Sequence, residues 1–179
     1  MTPSSLAPLR ARFAHRRLPD AGQRWLIGAA LAMPVLAGFA ALAGPDGCGH
    51  TGQRPGHPPS FWLLLGPVVE ECALRAGFQN GLRELWPGAR RWRIDAWLAS
   101  AVYSLLLLGH RHPAQLLALA LASLVIGLVH ARLRDAAEAG RGGVFAGLPQ
   151  AIGLHALFNL SLLLTCGSPP PPIIPLPLF

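Results

Sequence analysis

Five polar side chains, four of them ionisable and one an amide donor, interrupt two long apolar stretches of the sequence. Glu70, Glu71 and Arg75 lie in one stretch, and His155 and Asn159 lie in another. An ionisable group at membrane depth costs about 2.5–3.5 kcal/mol on insertion scales, and such groups usually serve a function. These residues are therefore the first candidates for a functional site.

The spacing of the five residues places them on shared helix faces. Residues four apart lie on one face of a helix, so Glu71 can pair with Arg75, and His155 can stand beside Asn159. Glu70 lies about 100° round the helix from Glu71, so its carboxylate can face a cavity while Glu71 pairs with Arg75. A third apolar stretch ends at His110. Three helices can thus converge on one polar pocket.

The chemistry that this set of residues favours is hydrolysis. A carboxylate beside an imidazole can remove a proton from water, which then attacks a peptide carbonyl. The oxyanion needs preorganised donors, which His155 and Asn159 would supply. Cys72 is a poor alternative nucleophile because its acidic neighbours disfavour the thiolate. Four serines are expected to bond to helix carbonyls or neighbouring helices: Ser100, Ser104, Ser123 and Ser161.

The elements that must position these residues are membrane-spanning helices. The 179-residue chain is 52% hydrophobic and only 13% charged, against roughly 25% charged in soluble domains. This composition argues against a soluble globular protein and against a disordered one. Apolar runs near the length needed to span a bilayer must be helical in lipid. The runs are 25–44, 60–82, 94–109, 114–131 and 144–166. The predicted fold class is an all-α polytopic membrane protein with about five transmembrane helices.

The distribution of arginine predicts the orientation of the chain. Twelve arginines precede the first span or lie in the second–third and fourth–fifth connections, against two in the alternate loops, Arg54 and Arg111. The positive-inside rule then predicts a cytoplasmic N-terminus and an outer C-terminus. This placement accounts for the net charge of +7, so we expect the lipid bilayer as a partner and no nucleic acid.

Three segments are predicted: a basic cytoplasmic segment 1–24, a transmembrane domain 25–166 and a proline-rich tail 167–179. Ala41-Leu42-Ala43 resembles a signal-peptide cleavage site, but the first apolar run is longer than the usual hydrophobic region of such peptides, which favours its retention.

The three cysteines and His130 are not expected to belong to the functional site. The three cysteines form no CxxC pair, so they predict neither a disulfide framework nor a zinc site. Cys72 and Cys166 lie in apolar runs and are expected to be buried thiols. His130 is expected at the membrane interface, at the cytoplasmic end of the fourth span.

The motifs resemble those of the CPBP family, the CAAX-protease and bacteriocin-processing (Abi) intramembrane proteases. Glu70-Glu71-Cys72-Ala73-Leu74-Arg75 matches EExxxR, and His155 to Asn159 matches HxxxN. Leu106 to His110 resembles FxxxH, with leucine in place of phenylalanine. The resemblance extends over about 61–164 and implies a glutamic-type intramembrane endopeptidase, a peptide hydrolase without a cofactor.

The resemblance also implies roles for individual residues. Glu70 and His110 would activate water, and His155 and Asn159 would bind the oxyanion. His112 competes with His110, but it precedes Pro113, which disfavours helical geometry. Zinc held by Glu70, His110 and His155 is the alternative. The candidate catalytic residues are Glu70, Glu71, Arg75, His110, His155 and Asn159.

The expected partner is a membrane-anchored protein or peptide substrate, cleaved in the inner (plasma) membrane. The short chain resembles small bacterial members that serve protein-sorting systems of the JDVT-CTERM type. Alternative functions are a non-catalytic bacteriocin self-immunity or scaffold protein, a zinc-dependent CAAX-type prenyl protease, and a small transporter that uses intramembrane Glu and His as a proton relay.

Overall fold

The computed structural model describes residues 20–43, 48, 60–108, 112–140, 143 and 145–166, and these residues form five helices without a strand. We number the helices α1 (Asp20–Leu42), α2 (61–85), α3 (Ile94–Leu107), α4 (Pro113–Ala139) and α5 (Leu148–Cys166). A short 3-10 turn, Pro87–Arg90, joins α2 to α3. The predicted all-helical class is confirmed.

The helices alternate in direction, so the bundle has two distinct ends. One end, called here the Arg-rich end, holds the starts of α1, α3 and α5 and the ends of α2 and α4. The described arginines at this end are Arg24, Arg83, Arg90, Arg91, Arg93, Arg132 and Arg134. At the opposite end a disulfide joins Cys166, the last residue of α5, to Cys48 in the segment after α1. We call this the disulfide end.

Three of the described helices are long and apolar enough to cross a membrane: Gly22–Leu42 within α1, Pro113–Ala139 and Leu148–Cys166. This indicates a multi-pass membrane protein. The other two predicted spans are also helical. Helix α3 is short, with only 14 residues, and α2 contains buried charged side chains. Helix α4 continues well beyond the predicted end at residue 131, because its last charged side chains pair with groups at the end of α2 and with Arg93, just before α3.

Small side chains allow the long helices to pack closely. Ala37, Ala118 and Ala151 are fully buried where α1, α4 and α5 meet, and Met33 fills the space beside them. Membrane helices associate through close van der Waals contact, for which alanine and glycine are suited. Helix α1 thereby packs against both α4 and α5.

Helix α2 is one continuous run built from α-helical and π-helical turns. Its segments are Phe61–Leu65 (π), Gly66–Glu71 (α), Cys72–Gln79 (π) and Asn80–Leu85 (α). π-Helical turns are rare and are frequent at functional sites. Glu71, Arg75, Gln79 and Arg83 repeat every four residues, and all four are buried. They form a polar stripe along the inner side of α2.

Two expectations about cysteine and histidine are wrong. Cys48 and Cys166 are joined in a disulfide, and Cys72 is an exposed free thiol on the outer side of α2. His130 is not interfacial: it is fully buried, and its Nε2 lies 3.2 Å from Oδ1 of Asn80. The charged end of α4 extends past His130, so the histidine lies inside the bundle.

Several predictions concern parts of the chain outside the described residues. These are most of the basic segment 1–24, the connection 44–59 apart from Cys48, the proline-rich tail 167–179, and His110. They remain predictions.

Candidate active site

Glu71 is the centre of a buried cluster between α2, α4 and α5. Its side chain is almost completely inaccessible, and its two oxygens have different partners. Oε2 accepts from Nε of Arg75 at 2.9 Å, and Oε1 lies 2.8 Å from Nδ1 of His155. The predicted pairing of Glu71 with Arg75 is therefore confirmed. The hydrogen bond from His155 to Glu71 was not predicted from the sequence.

The ring of His155 lies between two carboxylates. An ionised carboxylate only accepts hydrogen bonds, so Nδ1 of His155 carries the proton that it donates to Glu71. The opposite ring nitrogen, Nε2, is 3.6 Å from Oε2 of Glu70. The two neighbouring glutamates of α2 thus approach the two ring nitrogens of a single histidine on α5. Glu71 therefore holds the orientation of the ring, and Glu70 lies beside the opposite ring nitrogen.

Arg75 is held from several directions, and this fixes Glu71 in turn. Its Nη2 donates to the backbone oxygen and the hydroxyl of Ser123 on α4, both at 2.8 Å. Its Nη1 donates to Oε1 of Gln79 at 3.3 Å. Gly127 of α4 gives the guanidinium its space, because a Cβ at this position would lie 2.8 Å from Nη1. The arginine neutralises Glu71 and joins α2 to α4.

The polar chain continues from Arg75 towards the Arg-rich end. Nε2 of Gln79 donates to Oδ2 of Asp95 at 3.0 Å, and Nη1 of Arg83 lies 3.6 Å from the same oxygen. Arg83 then pairs with Asp135 of α4. The sequence interpretation did not include Gln79, Asp95 or Arg83 in the site. The four-residue spacing of 71, 75, 79 and 83 could have indicated Gln79 and Arg83.

The remaining predicted residues have the following places. Asn159 is buried one turn beyond His155 on α5, as its spacing requires. His112 is exposed, has an extended backbone and caps α4 by accepting from the amide of Ala114 at 3.4 Å. It therefore serves as a helix cap, in agreement with the expectation that proline excludes it from a helix. His110, its rival, lies outside the described residues.

Three of the four serines bond to helix carbonyls, as expected, and the fourth, Ser123, accepts from Arg75 of a neighbouring helix. Ser100 donates to the backbone oxygen of Ala120 on the neighbouring helix, and Ser161 donates to Leu157 within its own helix. Ser104 donates likewise to Ser100. Among the described side chains, no group of three His, Cys, Asp or Glu residues is arranged to hold a metal ion.

Comparison with known proteins identifies the family. No curated protein and no solved structure matches the chain. The sequence model of one family, described as "Type II CAAX prenyl endopeptidase Rce1-like", matches residues 60–161. The matched region begins at the start of α2 and ends within α5, so it contains both glutamates, Arg75, His155 and Asn159. More than half of the chain is matched, and the chain therefore belongs to the Rce1-like family of type II CAAX prenyl endopeptidases.

Proposed function

We propose that this protein is a glutamic-type intramembrane endopeptidase in which Glu70 activates a water molecule. Family membership indicates a peptidase that acts within the membrane. The observation that carries the proposal is the position of His155 between Glu70 and Glu71, at 3.6 and 2.8 Å. A base and an oriented imidazole at this separation can contact one water molecule and one carbonyl group.

The proposed reaction uses two faces of the pocket. Glu70, assisted by His110, takes a proton from water as the oxygen attacks the carbonyl carbon of the scissile bond. His155 and Asn159 donate to the oxyanion that forms. The proton then passes to the leaving amine nitrogen as the carbon–nitrogen bond breaks. In this role both ring nitrogens of His155 carry a proton: Nδ1 donates to Glu71, and Nε2 donates to the oxyanion.

Glu71 and Arg75 act as positioning residues in this mechanism. Glu71 sets the tautomer and the angle of the His155 ring, as a carboxylate does in other histidine-based sites. Arg75 balances the charge of Glu71 and fixes it against α4 through Ser123. Glu71 is thus more than one half of a structural ion pair.

We propose that the substrate is a membrane-anchored protein cleaved near its C-terminal tail, in a bacterial sorting system. The site then opens towards the outer face of the plasma membrane. The arginine distribution supports this orientation, and so does the disulfide, because disulfides persist in oxidising compartments and Cys48–Cys166 lies at the end opposite the arginines.

The test is cleavage by Glu70→Gln, which keeps the shape of the side chain but removes the base. The assay follows a membrane-anchored reporter that ends in a short motif, an apolar helix and an arginine cluster, in proteoliposomes. The rate should fall by at least ~10²-fold, the usual effect of losing a general base. Glu84→Gln is the matched control, because Glu84 is an exposed glutamate on the same helix. Wild-type cleavage by Glu70→Gln would refute the mechanism.

The zinc alternative has its own test. Water activated by Glu70 and His110 needs no ion, so cleavage should survive EDTA and phenanthroline in detergent. Activity that is lost to chelation and restored by added zinc would instead favour a metalloprotease with Glu70, His110 and His155 as ligands.

A further inference from the structure

A groove that contains none of the candidate catalytic residues runs along the outside of the bundle between α1 and α4. It has a volume of about 340 Å³. Gly28 and Ala32 of α1 and Val125 and Leu128 of α4 line its apolar length, and Arg24 and Trp25 lie at its Arg-rich end. Both helices belong to the three that are able to cross a membrane, so the groove faces the hydrocarbon region along most of its length.

Two arginines make the end of this groove strongly basic. Arg24 lines it, and Arg132 stands one turn beyond Leu128 with its guanidinium 4.2 Å from the centre of the Trp25 ring. Both arginines are exposed. Among the described side chains no carboxylate forms an ion pair with either of them, whereas the neighbouring Arg134 has two carboxylate partners. The basic end is therefore ready to receive an anion.

We propose that this groove binds one anionic phospholipid of the surrounding bilayer. A phospholipid has the same division as the groove: an anionic phosphate for Arg24 and Arg132, and an acyl chain for the apolar part. Arginine is well suited to phosphate because its planar guanidinium donates two parallel hydrogen bonds. Basic pockets between membrane helices are typical sites for anionic headgroups. A tryptophan at the same level fits the membrane interface.

The absence of side chains at Gly28 keeps the groove open. Apart from the adjacent turns of α1 itself, no atom of the described chain lies within 4 Å of a Cβ built at Gly28, so a side chain added there has room to enter the groove. Gly38, ten residues along the same helix, is equally free of neighbours but does not line the groove. The two glycines thus form a matched pair for testing occupancy.

The experiment measures lipid retention by the delipidated full-length protein in detergent. Native mass spectrometry follows binding of phosphatidylglycerol in competition with phosphatidylcholine that has the same acyl chains. Wild type should retain phosphatidylglycerol in preference. Gly28→Leu and the double variant Arg24→Gln/Arg132→Gln should each weaken this retention by about tenfold, which corresponds to ~1.4 kcal/mol. A thermal melt of each variant establishes that it is folded.

Two controls separate the groove from general attraction of lipid to a basic protein. Gly38→Leu adds the same bulk outside the groove. Arg91→Gln removes an arginine that also stands over a tryptophan, with its guanidinium 5.6 Å from the Trp92 ring, at the same end of the bundle. Both controls should retain phosphatidylglycerol as wild type does.

Three results would overturn the proposal. The first is equal retention of the two lipids by wild type, and the second is an equal loss of retention in Arg91→Gln. The third is unchanged retention in Gly28→Leu. If that variant keeps its lipid but cleaves the reporter slowly, the occupant of the groove is the substrate helix instead.

Discussion

Two charged regions of this protein contain the same residue types but differ in how far their carboxylates are exposed to solvent. Around His155, one carboxylate serves both Arg75 and the histidine, and all three groups are buried. At the Arg-rich end, Asp135 pairs with Arg83 and Arg93, and Glu138 pairs with Arg90 and Arg134. The acids of this second region are about one third exposed, and each has more than one arginine.

The difference between the regions lies in redundancy and solvation. Exposed ion pairs contribute about 0–1 kcal/mol because water and alternative partners replace a lost contact. Removing one partner of a buried pair costs about 3–5 kcal/mol, because the remaining charge is left uncompensated. An exposed arginine of the Arg-rich end, such as Arg90, can therefore be replaced at little cost, whereas the cluster around Glu71 depends on each of its members.

Of these substitutions, Arg75→Met should cause the largest loss of stability. It leaves Glu71 buried without its cation, so the free energy of unfolding should fall by about 3–5 kcal/mol and little folded protein should be recovered. The measurement is the fraction that elutes as a monodisperse peak in detergent after heating. Arg90→Gln is the matched control at the Arg-rich end.

The double variant Glu71→Met/Arg75→Met distinguishes stability from function. Removing both charges should restore much of the folded yield, since no isolated buried charge remains. Reporter cleavage should stay low, because His155 has lost the acceptor that orients it. Recovery of both properties would mean that Glu71 and Arg75 are only a structural pair.

Gly127→Ala should cause an intermediate loss of stability, although Gly127 is not one of the candidate catalytic residues. The added methyl lies 2.8 Å from Nη1 of Arg75 and 3.4 Å from Cβ of Ala96. Arg75 is held by four hydrogen bonds and can move only by weakening them, so we expect a loss of about 1–2 kcal/mol, within the range for overpacking. Gly153→Ala on α5 is the control, since its Cβ has no neighbour within 4 Å. Equal melting temperatures for the two variants would contradict the tight fit.

Arg90→Gln should have the smallest effect. Its partner Glu138 keeps a bond of 2.7 Å to Nε of Arg134, so the loss should be at most about 1 kcal/mol. The difference from wild type should shrink further as salt is added, because exposed pairs are screened. A salt-independent fall in melting temperature of the size seen for Arg75→Met would show that the two regions do not differ as described.

Apolar length and spacing were sufficient to predict most of the fold. They placed all five helices, and the four-residue rule paired Glu71 with Arg75. They failed where a helix continues through charged residues, as α4 does beyond Arg132, because hydropathy does not show which charges will find partners. His130 was assigned wrongly for the same reason, since the true end of the bundle lies beyond it.

The site was only partly predictable because its key contacts connect distant parts of the chain. The motif spacing groups residues within α2 and within α5, but the bond from His155 to Glu71 depends on how those two helices pack. The Cys48–Cys166 bond likewise joins residues 118 apart. Cys48 lies in a glycine- and proline-rich segment that gives no local signal of a partner.

The disulfide also divides the molecule by chain connectivity. It closes residues 48–166 into a covalent ring that contains α2 to α5, and α1 lies outside this ring, held by its packing and by the short segment that leads to Cys48. A cut after Ala43, at the site that resembles a signal-peptide junction, would free α1 and open one wall of the lipid groove. The ring would stay unbroken, with Glu70, Glu71 and His155 inside it. A processed form of the protein would therefore keep the candidate active site within the ring but lose one wall of the lipid groove.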